Sequence, residues 1–293
     1  MRFVVPFPAG GATDVVARVL AERMSVALGQ PVVVENRTGS GGNLGMENVV
    51  RSPADGHTLL MGTMGALTIN PHLYKDMGFD PLRDLAPVSM AFGTDHLLIV
   101  NPKVAAPDAR RFVSLLRENP GKFSYGSAGS GSSTHMVAEL FRLSAEAEPL
   151  HVPYRGSAPA LNDTVAGNVQ FMLDQAPSAL AMVQGGQVRA LATTGTKRFP
   201  LLPDVPTVAE IGLPGATATS WGAVMVPAGT PAPAVAQMNA VIRAALADPA
   251  VQAKLAAAGA DAVSSTPEEL ATINARESEK WGRVVREAKI TVN

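Results

Sequence analysis

The chain has 293 residues, and its content of 46% hydrophobic and 17% charged residues indicates a folded protein with a substantial core. The 24 Lys and Arg residues nearly balance the 25 Asp and Glu residues, which gives no electrostatic support for binding nucleic acid or an acidic membrane. Cysteine is absent, which excludes zinc–thiolate sites, iron–sulfur clusters, disulfides and cysteine nucleophiles.

The chain enters strand-like sequence at Phe3–Val5, almost at its first residue. No signal peptide is recognisable, and we expect Met1 to replace a removed leader. No apolar run approaches the ~18 residues that a transmembrane helix needs.

The first hundred residues alternate short apolar runs with helical patterns. The predicted elements are strand Phe3–Val5, helix Thr13–Leu28, strand Pro31–Glu35, a helix to Arg51 after the glycine turn Thr38–Asn43, and strand Thr58–Gly62. This alternation favours a parallel α/β sheet.

A second series with the same rhythm follows a strand at His96–Val100. Its predicted elements are helix Ala109–Glu118, strand Phe123–Tyr125, helix Ser133–Ser144, strand Leu150–Pro153, helix Ala158–Ala166, strand Val169–Asp174, helix Ser178–Gln184 and strand Arg189–Thr193. The repeated rhythm predicts a second, similar α/β domain.

The C-terminal part begins with a predicted strand at Trp221–Val226 and is then mostly helical. One helix is predicted to start with Thr230 as its N-cap and Pro231 in its first position. Thr266 and Glu269 form the pattern of a capping box before the last helix, which is predicted to run to about Ala288.

We expect the C-terminal part to pack on the first domain, so that the chain crosses twice between domains. The crossings are predicted near Val100–Asn101 and Ser220–Gly222. The expected domains are therefore residues 1–100 plus 222–293, and residues 101–221. Two crossing strands make a hinge that permits closure around a ligand.

Two loops that each follow a strand and open a helix, Pro6–Asp14 and Gly126–His135, are the strongest candidate site. A glycine-rich turn there exposes backbone N–H groups beside the positive end of a helix dipole, a geometry that binds carboxylate or phosphate. The candidate residues are Phe7, Ala9, Gly10, Gly11, Thr13 and Asp14 in the first loop, and Ser127, Gly129, Ser130, Ser132, Thr134 and His135 in the second.

Simpler interpretations stand beside these. Thr13 or Asp14 is also a candidate helix cap, and Asp14 is expected to cap the helix or orient a bridging water because it cannot ligate an anion directly. The second loop is alternatively a polar surface loop.

Further candidates follow other strands. Thr63 and Gly65 lie at the carboxyl end of a strand, where open α/β sheets bind ligands. Asp174 ends its strand in the same way, or caps the following helix. Tyr154 and Arg155 follow another strand, and Arg155 is interpreted as a surface charge rather than an anion ligand.

Familiar catalytic and cofactor motifs are missing. The sequence has no Gly-x-Ser-x-Gly elbow, no Gly-x-Gly-x-x-Gly, no phosphate-binding P-loop and no His-x-x-x-His pair. We therefore expect neither cofactor nor metal. The alternative from another class is a hydrolase or transferase that uses Ser127 or Ser130 with His135.

A set of motifs in fixed order extends over almost the whole chain. They are Val5–Gly11 with Asp14, Glu35–Arg37, Gly41–Gly45, Pro53-x-Asp55-Gly56, Asn70-Pro71-x-Leu73-Tyr74, His151–Ala160 and Leu202–Thr207. Together they resemble the Bug family, the periplasmic solute-binding (TctC) components of tripartite tricarboxylate transporters.

The resemblance implies an α/β fold of the periplasmic-binding-protein type (type II), with two α/β domains joined by a two-strand hinge. An interdomain ligand cleft would close like a Venus flytrap, without catalysis. In the family, one carboxylate is held by loops of both domains, partly through ordered waters. The corresponding loops here are Phe7–Asp14 and Ser127–His135, with Thr63 and Gly65 in a third loop and Asp174 in a fourth.

The resemblance also implies a periplasmic location and delivery of a small organic acid, a monocarboxylate, dicarboxylate or aromatic acid, to membrane permease subunits of such a transporter. We expect a monomer and no nucleic-acid partner, and a chemosensory protein without a transport partner is a third alternative. Asp95 is more polar than the equivalent position in many relatives. It either approaches the distal end of the cleft, where it would disfavour a second carboxylate, or lies in a surface turn.

Overall fold

A computed structural model describes residues 1–287 together with Ile290 and Thr291. The N-terminal elements are β1 (Arg2–Val5), α1 (Ala12–Leu28), β2 (Val33–Asn36), α2 (Asn43–Val50), β3 (Thr58–Thr63), α3 (Asn70–Leu73), α4 (Pro81–Asp84) and β4 (Leu85–Val100). A 3-10 turn at Ser40–Gly42 precedes α2, and a π-helical turn at Gly65–Ile69 precedes α3.

The central elements are α5 (Ala109–Glu118), β5 (Ser124–Ser127), α6 (Ser133–Ser144), β6 (Leu150–Pro153), α7 (Ser157–Ala166), β7 (Phe171–Gln175), α8 (Ala176–Gln184) and β8 (Arg189–Thr193). The C-terminal elements are a 3-10 turn at Pro214–Ala216, β9 (Thr219–Pro227), α9 (Ala232–Ala247), α10 (Pro249–Ala257), β10 (Asp261–Ala262) and α11 (Pro267–Glu287). The predicted helix end at Ala288 lies outside the described residues.

Two sheets share the long strand β4. The first has the order β2-β1-β3-β9-β4, with β10 pairing β4 as well, and the second joins β6, β5, β7, β4 and β8. The pairs β1–β2, β1–β3, β5–β6 and β5–β7 are parallel, as the strand–helix alternation predicts, whereas β4 and β9 run antiparallel to their neighbours.

The partner of β4 changes between Asp95 and His96. Up to Asp95 the strand pairs with β9, and from His96 it pairs with β7. This change divides the molecule into a first half, residues 1–95 and 219–287, and a second half, residues 96–218. The strand itself begins at Leu85, eleven residues before the predicted start at His96, because β9 pairs with residues 85–95.

The sheet of the first half is covered on both faces, and β1 shows how. Phe3 and Val5 pack with α1, α9 and α10, whereas Val4 packs on the other face with α2 and α11. Alternate side chains of a strand point to opposite faces, so three consecutive apolar residues serve two cores. The C-terminal helices therefore pack on the first sheet.

Of the two predicted helix N-caps in the C-terminal part, one is confirmed and one is wrong. Thr266 and Glu269 form the predicted capping box, with hydrogen bonds of 2.8 and 3.2 Å between each backbone N–H and the other side chain. The prediction for Thr230 is wrong. Pro231 is the N-cap of α9, and the Thr230 hydroxyl instead donates to the carbonyl of Pro227 at 2.7 Å.

The surface-turn interpretation of Asp95 is wrong. The residue lies inside β4 and not in a surface turn, and its carboxylate packs against Gly195 of the second half. Burial and the nearby charge of Asp261 raise the pKa of Asp95 to about 6. Within the described part of the chain, no helix combines the length and apolar character needed to span a bilayer.

Candidate functional site

A small cavity lies where the two predicted loops face each other. The first half contributes Phe7, Gly11, Ala12, Thr13 and Thr63, and the second half contributes Ala128, Ser132, Ser133, Thr134, Ser157 and Gln175. Each of these residues is buried, and none carries a charge. The cavity is therefore a neutral, polar chamber with walls from both halves.

Three helices begin at this cavity. Ala12 opens α1, Ser133 opens α6 and Ser157 opens α7. Gly11 and Gly156, the N-caps of α1 and α7, form no side-chain cap, which leaves the first amides of both helices without a capping oxygen. Among the described residues, the N–H groups of Ala12 and Ser133 find no backbone acceptor. Helix N-termini with open amides attract anions.

The hydroxyls of Ser132 and Thr134 hold the second loop in shape. Ser132 Oγ donates to the carbonyl of Gly129 at 2.6 Å and, as the N-cap of α6, accepts from the N–H of His135 at 3.3 Å. The N–H of Ala128 donates to Thr134 Oγ1 at 2.8 Å. Both residues line the cavity, but their hydroxyls are already engaged in the loop.

Asp14 fixes the first loop from behind and does not cap α1. Its carboxylate accepts hydrogen bonds from the N–H of Gly10 at 3.0 Å and from Asn36 at 2.9 Å, and it pairs with Arg18 at 2.9 Å. Burial raises the pKa of Asp14, but the hydrogen bonds from Arg18, Asn36 and Gly10 outweigh it, so that the pKa lies below its ordinary value. The Gly10 amide is consequently not free for a ligand.

A stack of rings lies under the second loop. Ser127 Oγ lies 2.6 Å from His151 Nε2, and the His151 ring is stacked between His135 and Tyr125, with ring centroids 4.0 and 4.9 Å away. The other contact of His135 is at Nδ1, which accepts from the N–H of Gly131 at 3.1 Å. The predicted Ser127–His135 pair is wrong, because His151 takes the serine and Ser127 is fully buried outside the cavity wall.

Burial sets the protonation of both histidines. It lowers the pKa of His151 to about 3, with help from the neighbouring His135, and the pKa of His135 to about 4, with help from Arg142. Both rings are therefore neutral at pH 7.

Asp174 lies directly behind two cavity residues. It is fully buried and accepts hydrogen bonds from Ser157 Oγ at 2.8 Å, the N–H of Gln175 at 2.9 Å and Ser178 Oγ at 2.6 Å. The capping interpretation is wrong, because Gln175 is the N-cap of α8 and the helix has no side-chain cap; Asp174 instead ties the start of α7 to the first turn of α8. Burial raises its pKa to about 6 although the three hydrogen bonds act in the opposite direction.

The other expected site residues lie away from the cavity wall. Ala9 and Gly10 are exposed, and the phenol of Tyr154 donates to Asp163 at 2.7 Å, which together with burial raises its pKa to about 12. Gly65, Gly129 and Ser130 lie where the two halves touch. Arg155 is exposed, in keeping with its interpretation as a surface charge.

Sequence reasoning missed five lining residues, Ala12, Ala128, Ser133, Ser157 and Gln175. A signal was present for three of them. Ala12, Ser133 and Ser157 each occupy the first position of a helix that follows a strand. In that position the backbone N–H lacks an intrahelical partner whatever the side chain, so residue type carries little information.

Comparisons with known proteins identify the family of the chain. Residues 16–290 match the model of the "Tripartite tricarboxylate transporter family receptor". The chain is similar to Protein BugT of Bordetella pertussis, with 38% identity over 98% of this chain and 88% of BugT.

Two solved structures from Rhodopseudomonas palustris are also similar. Rpa4515 with adipate has 36% identity and a TM-score of 0.96, covering 99% of this chain and 97% of its own. MatC with bound malate has 33% identity and a TM-score of 0.92, covering 97% and 98%. The predicted Bug resemblance and the periplasmic-binding-protein fold are thus confirmed. The chain belongs to the receptor family of tripartite tricarboxylate transporters, whose members are periplasmic solute-binding proteins.

Proposed function

We propose that this receptor binds the carboxylate group of a small organic acid in the cavity between its two halves. The observation that carries the proposal is the convergence of three helix N-termini, those of α1, α6 and α7, on one uncharged chamber. Each helix start contributes about 0.3–1 kcal/mol to an anion, and up to ~2 kcal/mol when partly buried. A charge-assisted hydrogen bond adds ~1.5–3 kcal/mol.

An uncharged cavity wall favours reversible binding of an anion, because the empty receptor then holds no buried, unpaired charge. A buried arginine would bring a desolvation penalty of several kcal/mol per ion in the empty receptor. Amides of Ala12, Thr13, Ser133 and Thr134 bring no such penalty because they belong to helices in any case.

The carbon skeleton of the ligand would lie against apolar groups of the wall. Phe7, Ala12 and Ala128 supply them, and Gln175 offers a neutral polar group. The similar structures hold adipate and malate, which are both dicarboxylates. We infer a short dicarboxylate or an aromatic acid as the ligand class.

The rest of the proposal concerns organisation and partners. The two halves act as domains of a Venus flytrap, with the boundary in β4 placed at Asp95/His96 because the strand changes partner there, and the return crossing at the start of β9. The protein is a periplasmic monomer that delivers its ligand to permease subunits and does not catalyse a reaction. The support for the last point is Ser127, which pairs with His151 outside the cavity wall.

Calorimetric titration with adipate, malate, succinate, citrate and benzoate tests the proposal. We expect one-to-one binding of at least one acid, and a rise in melting temperature that grows with its concentration. Mass spectrometry of small molecules released from freshly purified protein would identify retained cargo. If no acid binds and the protein steadily hydrolyses an ester, with loss of turnover in His151→Ala, the chain is a hydrolase and the proposal is wrong.

A further inference from the structure

Glycines form a line of close contacts between the two halves. A Cβ on Gly41 would lie 2.5 Å from the carbonyl oxygen of Ser130, and a Cβ on Gly65 would lie 2.8 Å from both Gly131 O and Ser133 N. A Cβ on Gly131 would overlap Asn70, and one on Gly156 would overlap Pro8. We call these four glycines the glycine seam. Gly41 and Gly65 let backbone meet backbone, and Gly131 and Gly156 leave room for Asn70 and Pro8. A side chain at any of the four positions would hold the halves apart.

One hydrogen bond crosses this seam directly. Tyr74, at the end of α3 in the first half, donates its phenol to the carbonyl of Ser130 at 2.7 Å. Its neighbour Asn70 is fully buried, donates to the carbonyl of Gly41 at 3.1 Å, and has an unpartnered Oδ1 that faces Gly131. Both residues belong to the Asn70–Tyr74 motif, which contributes nothing to the cavity wall.

Apolar contacts continue the seam. Met136 and Leu140 of α6, in the second half, pack into the cluster that contains Leu67, Leu73 and Trp281 of the first half. Met136 is fully buried there. None of these side chains lines the cavity, so the energy of the contact does not depend on the ligand.

The lining residues are all buried when the halves touch, so an organic acid reaches them only when the seam separates. A receptor of this kind binds with an apparent affinity that scales with the fraction of closed molecules. Consider a contact that exists only in the closed arrangement and does not touch the ligand. Removing it therefore changes the affinity for every ligand by the same factor.

We propose that Tyr74 is a positioning residue which, with the glycine seam, forms a ligand-independent clasp that sets the closing equilibrium of the receptor. This inference rests on the proposed function only where it states how the clasp changes the affinity for organic acids. The clasp holds Ser130, and with it the start of α6, against the first half. It populates the closed arrangement before any ligand arrives, and the cavity then selects among acids.

The absence of cysteine makes the clasp directly measurable. Spin labels attached to Arg51→Cys and Glu118→Cys, both exposed and one in each half, report a single interlobe distance by pulsed electron resonance. In ligand-free protein we expect a short-distance population. Gly65→Ala should abolish it, because the added methyl meets backbone atoms of the second half only. Tyr74→Phe should reduce it.

Matched controls separate the clasp from general destabilisation. Gly93→Ala places its methyl 3.6 Å from Val263 within the first half, in ordinary contact, and Tyr125→Phe removes a phenol bond to Glu139 within the second half. Both controls should keep the wild-type distance distribution, and circular dichroism should show that all variants are folded. Unchanged distances in Gly65→Ala or Tyr74→Phe would overturn the proposal.

Titration with adipate and malate gives the second readout. Tyr74→Phe should weaken every acid that binds by the same factor, roughly three- to tenfold for one lost hydrogen bond. A loss confined to one acid would make Tyr74 a ligand contact and overturn the clasp. If neither acid nor any other in the panel binds the wild type, the carboxylate proposal fails, whereas the spin-label distances still decide on the clasp.

Discussion

The hydroxyl of Ser157 donates a hydrogen bond to Oδ1 of Asp174 at 2.8 Å, which couples the cavity wall to a carboxyl that is fully buried. Ser157 opens α7, and Ser178 in α8 donates to the other carboxyl oxygen at 2.6 Å. One side chain thus sets the spacing of two helix starts. Its protonation state influences both stability and the field in the cavity.

We predict that Asp174→Asn removes a pH dependence of stability between about pH 4 and pH 6. The folded pKa of about 6 lies above the ordinary value of 3.8, so the folded state holds the proton more tightly than the unfolded state. The stabilisation is therefore fully present below about pH 4 and is lost as the pH rises to about 6, by an amount on the order of 2–3 kcal/mol.

Urea unfolding of wild type and variant across this range measures the effect. The quantity to compare is the difference between the two curves, because Asp95 titrates in the same window in both proteins. A constant difference from pH 4 to pH 7 would show that Asp174 keeps an ordinary pKa.

A second prediction concerns acid and the stacked histidines. The pKa values of His151 and His135, about 3 and about 4, lie below the ordinary 6.5, so the folded state resists protonation. The stabilisation is present above about pH 6.5 and is lost as the pH falls toward 3. Replacing His151 with Gln keeps a polar group near Ser127. This variant should lose less unfolding free energy than the wild type as the pH falls.

Urea unfolding between pH 3 and pH 7 gives the test, and His57→Gln is the control because His57 lies on the surface. We expect the control to lose stability in acid as the wild type does. If His151→Gln loses as much stability between pH 7 and pH 3 as the wild type, the stacked histidines do not cause that loss.

The third prediction separates loop structure from ligand contact. Ser132→Ala should lower stability by about 1 kcal/mol, because it removes the N-cap of α6 and the bond to the carbonyl of Gly129. Chemical unfolding without ligand measures this cost. A full effect on ligand affinity with no effect on stability would instead assign the hydroxyl to the ligand.

Local patterns predicted much of the fold. Ala109–Glu118, Ser133–Ser144, Leu150–Pro153 and Arg189–Thr193 have the predicted bounds, because apolar spacing and turn residues agree there. The start of β4 was harder. Residues 85–95 contain Pro87, Ser89 and Asp95, which are poor strand formers on their own and are held by β9 across two register shifts.

The candidate site was predictable to the level of loops and not of atoms. Both glycine loops do meet at one cavity, but several of their glycines serve the contact between the halves. Gly129 and Gly131 face Gly41 and Asn70, and only coordinates show that distant partner. The open amide of Ser133 was not predicted, because a sequence shows side chains and not unpaired backbone N–H groups. The prediction therefore rested on the hydroxyls of Ser127, Ser132 and Thr134.

The last prediction tests a backbone donor without changing a polar side chain. Ala12→Pro removes the N–H of the first residue of α1, a position where proline is tolerated. The preceding Gly11 has φ −78° and ψ 163°, which is the extended conformation that a following proline requires. Stability should change by less than about 1 kcal/mol, and affinity for any bound carboxylate should fall at least about tenfold.

Ala232→Pro is the matched control, since Ala232 opens α9 at an exposed position remote from the cavity wall. It makes the same covalent change at the same helix position, so its affinity should equal that of the wild type. The two variants, titrated with whichever acid binds, isolate the α1 amide. Equal affinities in wild type, Ala12→Pro and Ala232→Pro would show that the Ala12 amide does not donate to the ligand, and the carboxylate would then have to be held by the other open amides of α1, α6 and α7.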